Sequence, residues 1–400
     1  MFDMSAASFD TPIPATGLEH ILGLVVSGTS TTRADLARHT GLARSTVSQR
    51  VDDLIKAGLL EEVEGGVSSG GRPPRELRLR RDTNLLVGVD LGATHCDVAV
   101  ADVSGEILAR CRDACRIDSG PHEVLGLVAR RIKELLTQID RPASALKAIG
   151  IGVPGPVEFS SGRPNNPPIM PGWNGFSIPT YLGDIFGCDV VVDNDVTIMA
   201  IGEHRQHLPN LRNLLFVKVA TGIGCGIIAN GAPYRGADGC AGDIGHVPIH
   251  GYEEVLCRCG NVACLEAIAG GAALVKAMSE KGLDCASTTD LVRLADDGQT
   301  DVLVAVRSAA NLIGEVLATL VNFFNPEAIV IGGTLIGIKD TLVVGIREAI
   351  YRRSLPLATS NLAIIATQTG RQAGILGAIE LAREQMLAPA RIKPVIAAIA

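Results

Sequence analysis

Four residues that bind soft metals fall between positions 246 and 264: His246, Cys257, Cys259 and Cys264. Three thiolates and one imidazole complete a tetrahedral zinc site. Four protein ligands leave no coordination position for water, so a Zn2+ held here is structural, not catalytic. The C-x-C-x4-C spacing, with Gly260 inside it, lets a short loop fold back around one ion. The plainer alternative is a set of ordinary buried thiols. Asp243 precedes the cluster and Glu266 follows it. A loop pinned by metal therefore holds two carboxylates in a rigid polar pocket.

Three further segments carry candidate chemistry. Asp90-Leu91-Gly92-Ala93-Thr94 puts a carboxylate at the end of an apolar run, beside a glycine turn. Backbone N–H groups of such a turn can cradle phosphate, and the Asp can hold magnesium. Thr221-Gly222-Ile223-Gly224-Cys225-Gly226 is a second candidate cradle. Taken alone, each is more often a simple turn between strands. Asn194 and Asp195 follow the apolar run 188–192. They sit at the carboxyl end of a strand, where α/β folds place ligands. Asp195 there can accept a proton from a sugar hydroxyl. The same segment reads equally well as the N-cap of a helix beginning near Thr197.

The elements that must position these residues are legible in the hydrophobic pattern. Residues 85–94 form a buried strand entering a turn, 96–102 a second strand, and Gly105 marks a hairpin into 107–110. A helix over 121–138 and a strand over 147–153 follow. Strand, glycine turn and strand recur at 214–229, a weak internal duplication. Further strands are expected at 328–331 and 362–366. Upstream, residues 1–14 read as a disordered leader and 15–81 as a separate unit. Within it lie helices near 18–27 and 32–40, a turn at Gly41, and a helix over 43–54. Helix, glycine turn and helix is the helix-turn-helix plan. The second of these helices carries Arg44, Ser45, Thr46, Gln49 and Arg50 on its polar side, groups that bond phosphates and base edges. Two short strands, 59–64 and 76–80, flank a glycine-rich loop bearing Arg72, which reads as a basic wing.

Composition bounds the rest. A chain of 400 residues with 47% hydrophobic and 3% aromatic content and 45 glycines is a multidomain aliphatic α/β protein. Its net charge of −7 excludes a global attraction to nucleic acid, so DNA contact must be local. Ten cysteines in mostly apolar surroundings form no disulfide framework and suit a reducing cytoplasm. The N-terminus lacks the regions of a signal peptide, and no membrane span is expected.

Together these segments resemble the ROK family of repressors, open reading frames and sugar kinases, in its branch with an N-terminal winged helix. The likeness covers roughly residues 15–385. The family's zinc signature, CxCGxxGCxE after ExGH, stands here as Cys257-Arg258-Cys259-Gly260-Asn261-Val262-Ala263-Cys264-Leu265-Glu266 after Asp243-Ile244-Gly245-His246. DxGGT stands as Asp90–Thr94, GTGIGxG as Ala220–Gly226, and NDAN as Asn194–Thr197. The resemblance implies an α/β protein: a winged helix-turn-helix, then a two-lobed actin-like, Hsp70-like fold over 85–385. It implies a sugar site on Asn194, Asp195, Asp243, His246 and Glu266, with Asp195 at the kinase base position and His246 shared between zinc and sugar. It also implies dimers, or dimers of dimers. The departures all touch kinase chemistry. Ala93 and Ala220 replace glycines in the phosphate loops, Val196-Thr197 replaces Ala-Asn, and Asp243 replaces Glu. Asp90, Gly92, Thr94, Thr221, Gly222 and Gly224 then remain as phosphate-loop remnants, with ATP and Mg2+ use lost or weakened.

The expectation is a sugar-controlled, DNA-binding repressor of carbohydrate-utilisation genes, of the xylose or N-acetylglucosamine type, whose partners are operator DNA and a sugar or sugar phosphate. One alternative is a sugar kinase that also binds DNA. Another is a repressor relieved by a protein partner.

Overall fold

The computed structural model describes residues 17–26, 28–64, 75–81 and 84–388. The expected leader, the wing tip with Arg72, and the C-terminal residues 389–400 lie outside them.

The N-terminal unit comprises α1 (Leu18–Val26), α2 (Arg33–Thr40), α3 (Arg44–Lys56) and a hairpin of β1 (Leu60–Glu64) with β2 (Arg75–Leu79). Thr32 caps α2 by accepting from the Asp35 N–H, and Gly41 ends it at φ +68°, where a side chain would be strained. Leu36, Val47, Val51 and Leu54 fill the centre at helical spacing. Arg33 on α2 binds Asp52 on α3 and Glu62 on β1, each at 2.7 Å, and so fixes the angle between the helices.

Two lobes follow. The first contains β3 (Leu85–Leu91), β4 (His95–Asp102), β5 (Ile107–Ala114), α4 (Pro121–Gln138) and β6 (Leu146–Val153). A short hairpin of β7 (Val157–Glu158) with β8 (Arg163–Pro164), then α5 (Ile178–Phe186) and β9 (Asp189–Asn194), complete it. Its sheet order is β5-β4-β3-β6-β9, with β3 antiparallel to β4 and parallel to β6. Helix α6 (Asp195–His207) leads to the second lobe, whose strands are β10 (Leu214–Val219), β11 (Ile223–Ala229), β12 (Ala232–Pro233), β13 (Ala328–Gly332) and β14 (Ala363–Ala366). Its helices are α7 (Leu265–Ala269), α8 (Gly271–Glu280), α9 (Thr288–Asp296), α10 (Thr300–Phe324), α11 (Lys339–Arg353) and α12 (Pro356–Thr359). The second sheet runs β12-β11-β10-β13-β14, the same order as the first, so the duplication in the sequence is a duplication of topology. Finally α13 (Ala373–Met386) returns to pack on β3, β6 and α6.

Two local expectations shift. The glycine segment expected as a loop is a turn only as far as Gly222. From Ile223 it is strand, paired with β10. Its glycines serve packing instead: a Cβ on Gly226 would fall 2.5 Å from the Val196 carbonyl of α6. The helix expected near Thr197 begins at Asp195. Helix α10 is apolar and long enough to cross a membrane by composition. Here it is a core helix, its Val306, Ile313, Leu317 and Val321 buried in the second lobe's apolar cluster.

Candidate functional site

The cleft residues gather where the two sheets face each other across α6. Asn194 ends β9 and caps α6. Its side-chain oxygen accepts from the Val196 and Thr197 N–H groups, and its amide donates to the Gly155 carbonyl at 3.1 Å. The capping reading therefore holds for Asn194, which leaves Asp195 available for another partner. That partner is Lys218 of β10, whose Nζ lies 2.5 Å from Asp195 Oδ2. The pair joins the first lobe's last strand and helix to the second lobe's first strand. Burial pushes the Asp195 carboxyl up while Lys218 pulls it down. Burial likewise works to lower the Lys218 ammonium, but Asp195, Asp90 and Glu266 hold it above its ordinary value. Lys218 is thus paired with Asp195, and Asp90 and Glu266 also favour its charged form.

Asp90 ends β3. Its carboxylate lies against the first turn of α13, where only a glycine at 374 leaves room: a Cβ there would meet Oδ2 at 2.3 Å. His95 Nε2 lies 3.6 Å from the same oxygen. Although burial opposes it, His95 holds the Asp90 carboxyl below its usual range. The turn beside it is already filled. The Gly92 N–H donates to the His95 carbonyl, and the His95 ring sits 2.2 Å from where a Gly92 Cβ would be. Thr94 is exposed. On the other lobe, the Ala220 and Thr221 carbonyls accept from the Gly271 and Ala272 N–H groups at the start of α8. Glu266 Oε2 accepts from the Ile223 N–H at 3.0 Å and lies where a Gly222 Cβ would be. Gly224 packs on Val196. A nucleotide phosphate with magnesium does not fit this arrangement. The N–H of Gly92 is spent, His95 covers the turn beside Asp90, and Lys218 already occupies Asp195.

Asp243 and His246 flank the turn that carries Gly245, whose missing Cβ leaves room for the Ile223 carbonyl of β11, 2.4 Å from where that Cβ would be. His246 Nε2 lies 3.8 Å from Asp243 Oδ1, while Nδ1 lies 3.7 Å from Cys257 Sγ. The two ring nitrogens thus face different partners. Cys259 and Cys264 sulfurs are also 3.7 Å apart, and all four ligand atoms lie within 4.8 Å of one another. Metal–sulfur bonds of about 2.3 Å in a tetrahedron require edges of roughly 3.8 Å. The donor set fits a tetrahedral metal. Leu256 and Val262 pair across the loop and Gly260 turns it at φ +92°.

Lys218 and His95 were not among the expected site residues, nor was Arg235, which binds buried Asp193 at 2.8 Å and stacks over Phe159. Lys218 carried a signal: it is the single charge in the strand LLFVKV, two residues before the glycine turn.

On the DNA side, Arg44, Ser45 and Gln49 are exposed on α3, and Thr46 and Arg50 are half-buried. Gln49 also bonds Asp53 at 3.1 Å. The basic wing is less free than its composition suggests. Arg75 pairs with Glu62, Arg78 with Glu76, and Arg81 with Glu106 and Asp102 of the first lobe.

Residues 86–385 match the ROK family, and residues 20–67 match the MarR family. A putative xylose repressor of Caldicellulosiruptor sp. (strain Rt8B.4) is 30% identical over 382 residues, covering 92% of this chain and 95% of its own. The crystal structure of a ROK-family transcriptional regulator, a homologue of the E. coli MLC protein, aligns with a TM-score of 0.80 at 25% identity. It covers 96% of this chain and 99% of its own. A ROK-family glucokinase from Streptomyces griseus, solved with glucose and AMPPNP, aligns with a TM-score of 0.65 at 26% identity, over 75% of this chain and all of its own. A helix-turn-helix unit is thus fused to a two-lobed, actin-like sugar-kinase fold, and the chain belongs to the ROK family.

Proposed function

We propose that this protein is a sugar-responsive transcriptional repressor acting on carbohydrate-utilisation genes. In this reading residues 15–81 bind operator DNA and residues 85–385 hold the sugar. The DNA contacts come from Arg44, Ser45, Thr46, Gln49 and Arg50, with Arg72 entering from the wing. Asn194, Asp195, Asp243, His246 and Glu266 form the sugar site. One zinc ion on His246, Cys257, Cys259 and Cys264 fixes the loop, and His246 uses Nδ1 for the metal and Nε2 for the sugar. Phosphoryl transfer is not part of this reading, because Asp195 is engaged by Lys218 and the Gly92 turn is filled.

The observation that carries the reading is the placement of α13. Its first turn abuts Asp90 in the cleft. Its far end, at Met386, shares one apolar cluster with Ile21, Leu22, Leu54 and Leu77 of the N-terminal unit. Arg81 binds Asp102 and Glu106, and the Asn84 amide donates to the Gly58 carbonyl, so the two parts are also tied by polar contacts. A change of lobe angle on sugar binding therefore has a rigid path to the DNA-binding helices. Two such units in a dimer must meet two half-sites at once, and a small misalignment weakens both.

Fluorescence anisotropy tests this reading. Full-length protein selects duplexes from a random pool, and the bound duplex is then titrated against a sugar panel. Release by at least one sugar is expected. DNA binding indifferent to every sugar overturns the reading.

A further inference from the structure

We propose that Arg235 is the positioning residue of an interlobe latch, by which the second-lobe strap leading into the His246–Cys264 loop grips the flank of α13. What the latch controls, the seating of the N-terminal DNA-binding unit, rests on the repressor reading above. Its existence rests on the fold alone.

Residues 234–243 leave β12 and run to Asp243. This strap folds as one piece, because the Ala241 N–H donates to the Arg235 carbonyl. It is fixed to its own lobe where the Cys225 N–H of β11 donates to the Gly242 carbonyl. Its middle leans on the first lobe. Gly239, at φ +84°, would place a Cβ 2.2 Å from the Val157 carbonyl of β7, so only glycine fits there. Arg235 makes the other contact across the lobes. Its Nε donates to Asp193 Oδ2 of β9 at 2.8 Å, and its guanidinium lies 3.8 Å from the centre of the Phe159 ring. Asp193 is 4% exposed, so this ion pair sits where water screens poorly. A planar guanidinium can bind a carboxylate with its edge and an aromatic ring with its face, which an ammonium cannot. Asp193 uses its other oxygen to accept from the Asn194 N–H at 2.8 Å. One residue of the second lobe thus holds the backbone immediately before Asn194 and Asp195. Phe159 carries the contact further. With Val191 it packs on Ile198 of α6 and on Ala378 and Leu381 of α13. From there α13 runs to Met386, in the apolar cluster shared with the N-terminal unit.

Hydrogen-exchange mass spectrometry on the full-length, zinc-loaded protein tests the latch without a sugar. An Asp193→Asn, Arg235→Met variant removes both charges, so no buried charge is left unpaired and the chain should fold. Its amides should exchange at least about tenfold faster in two separate places, the strap over 236–243 and the end of α13 over 378–386. Those of α10 over 306–321 should be unchanged. Arg235→Lys keeps a cation for Asp193 and should return both segments toward the parent's rates. Asp193→Asn alone leaves Arg235 on Phe159 and should give the same pattern in weaker form. Faster exchange confined to the strap shows a local tie and overturns the proposal. Faster exchange in α10 as well reports general loosening and also overturns it. With a duplex selected by the parent protein, the double variant should bind about 2- to 30-fold more weakly, the range for residues that link sites without touching either ligand. Equal duplex affinity overturns the latch's hold on the DNA-binding unit. A parent protein that selects no duplex overturns the repressor reading instead, and the exchange pattern still decides the latch.

Discussion

Asn194 and Asp195 are neighbours with opposite fates. Asn194 satisfies both ends of its amide locally, on the α6 N-terminus and on Gly155. Asn194→Ala should cost about 1 kcal/mol from the missing cap, measured by denaturant unfolding, and it also removes the hydrogen bond to the Gly155 carbonyl. The gathering of His246, Cys257, Cys259 and Cys264 was legible from the sequence, because local spacing decides it. Cys259→Ala should abolish stoichiometric zinc in metal analysis of the purified protein, and zinc retained at one per chain would refute the ligand assignment. The Lys218–Asp195 pair was not legible. Lys218 and Asp195 lie on different elements of different lobes, and only the duplicated topology brings them together. The same holds for His95, whose ring covers Gly92 only once the β3–β4 turn closes.

At the scale of elements, the sequence located most strands and the helices α1 to α4 and α6 to within a few residues, because their apolar stripes are periodic, and it gave no bounds for α5 or for α7 to α13. What it did not reveal is how closely the elements approach. Gly202 on α6 and Gly377 on α13 meet backbone directly: a Cβ on Gly377 would lie 1.7 Å from the Ile198 carbonyl, and one on Gly202 2.2 Å from the Ala373 carbonyl. Gly377→Ala must push these helices apart, and a destabilisation of about 1–3 kcal/mol or more is expected from overpacking. Helix α3 belongs to the same scale. Gln49→Ala should change base preference at one operator position by about 1–3 kcal/mol, whereas Arg44→Ala should weaken binding to all sequences, as read by anisotropy on a panel of operator variants. The wing illustrates a limit of composition: the arginines that flank its loop, Arg75, Arg78 and Arg81, each have an acidic partner in the fold.

At the scale of the molecule, one helix-turn-helix reads one half-site, so a dimer is expected. The ends of α10 and α12 lie together, with Leu355 N–H donating to Asn322 and with Phe323, Leu355 and Leu357 exposed. Phe323→Asp with Leu357→Asp should shift the mass in solution from dimer to monomer, as read by light scattering, and should lower operator affinity. In the proposed mechanism the cleft and the DNA-binding helices share one two-state element, spanning the lobes and α13. Such coupling is reciprocal. Calorimetric titration of the effective sugar into the protein, with and without saturating operator, tests it most directly. The sugar affinity is predicted to differ by a factor of about 5–150 between the two titrations, matching the factor by which sugar changes operator affinity. Equal sugar affinity in both would contradict it.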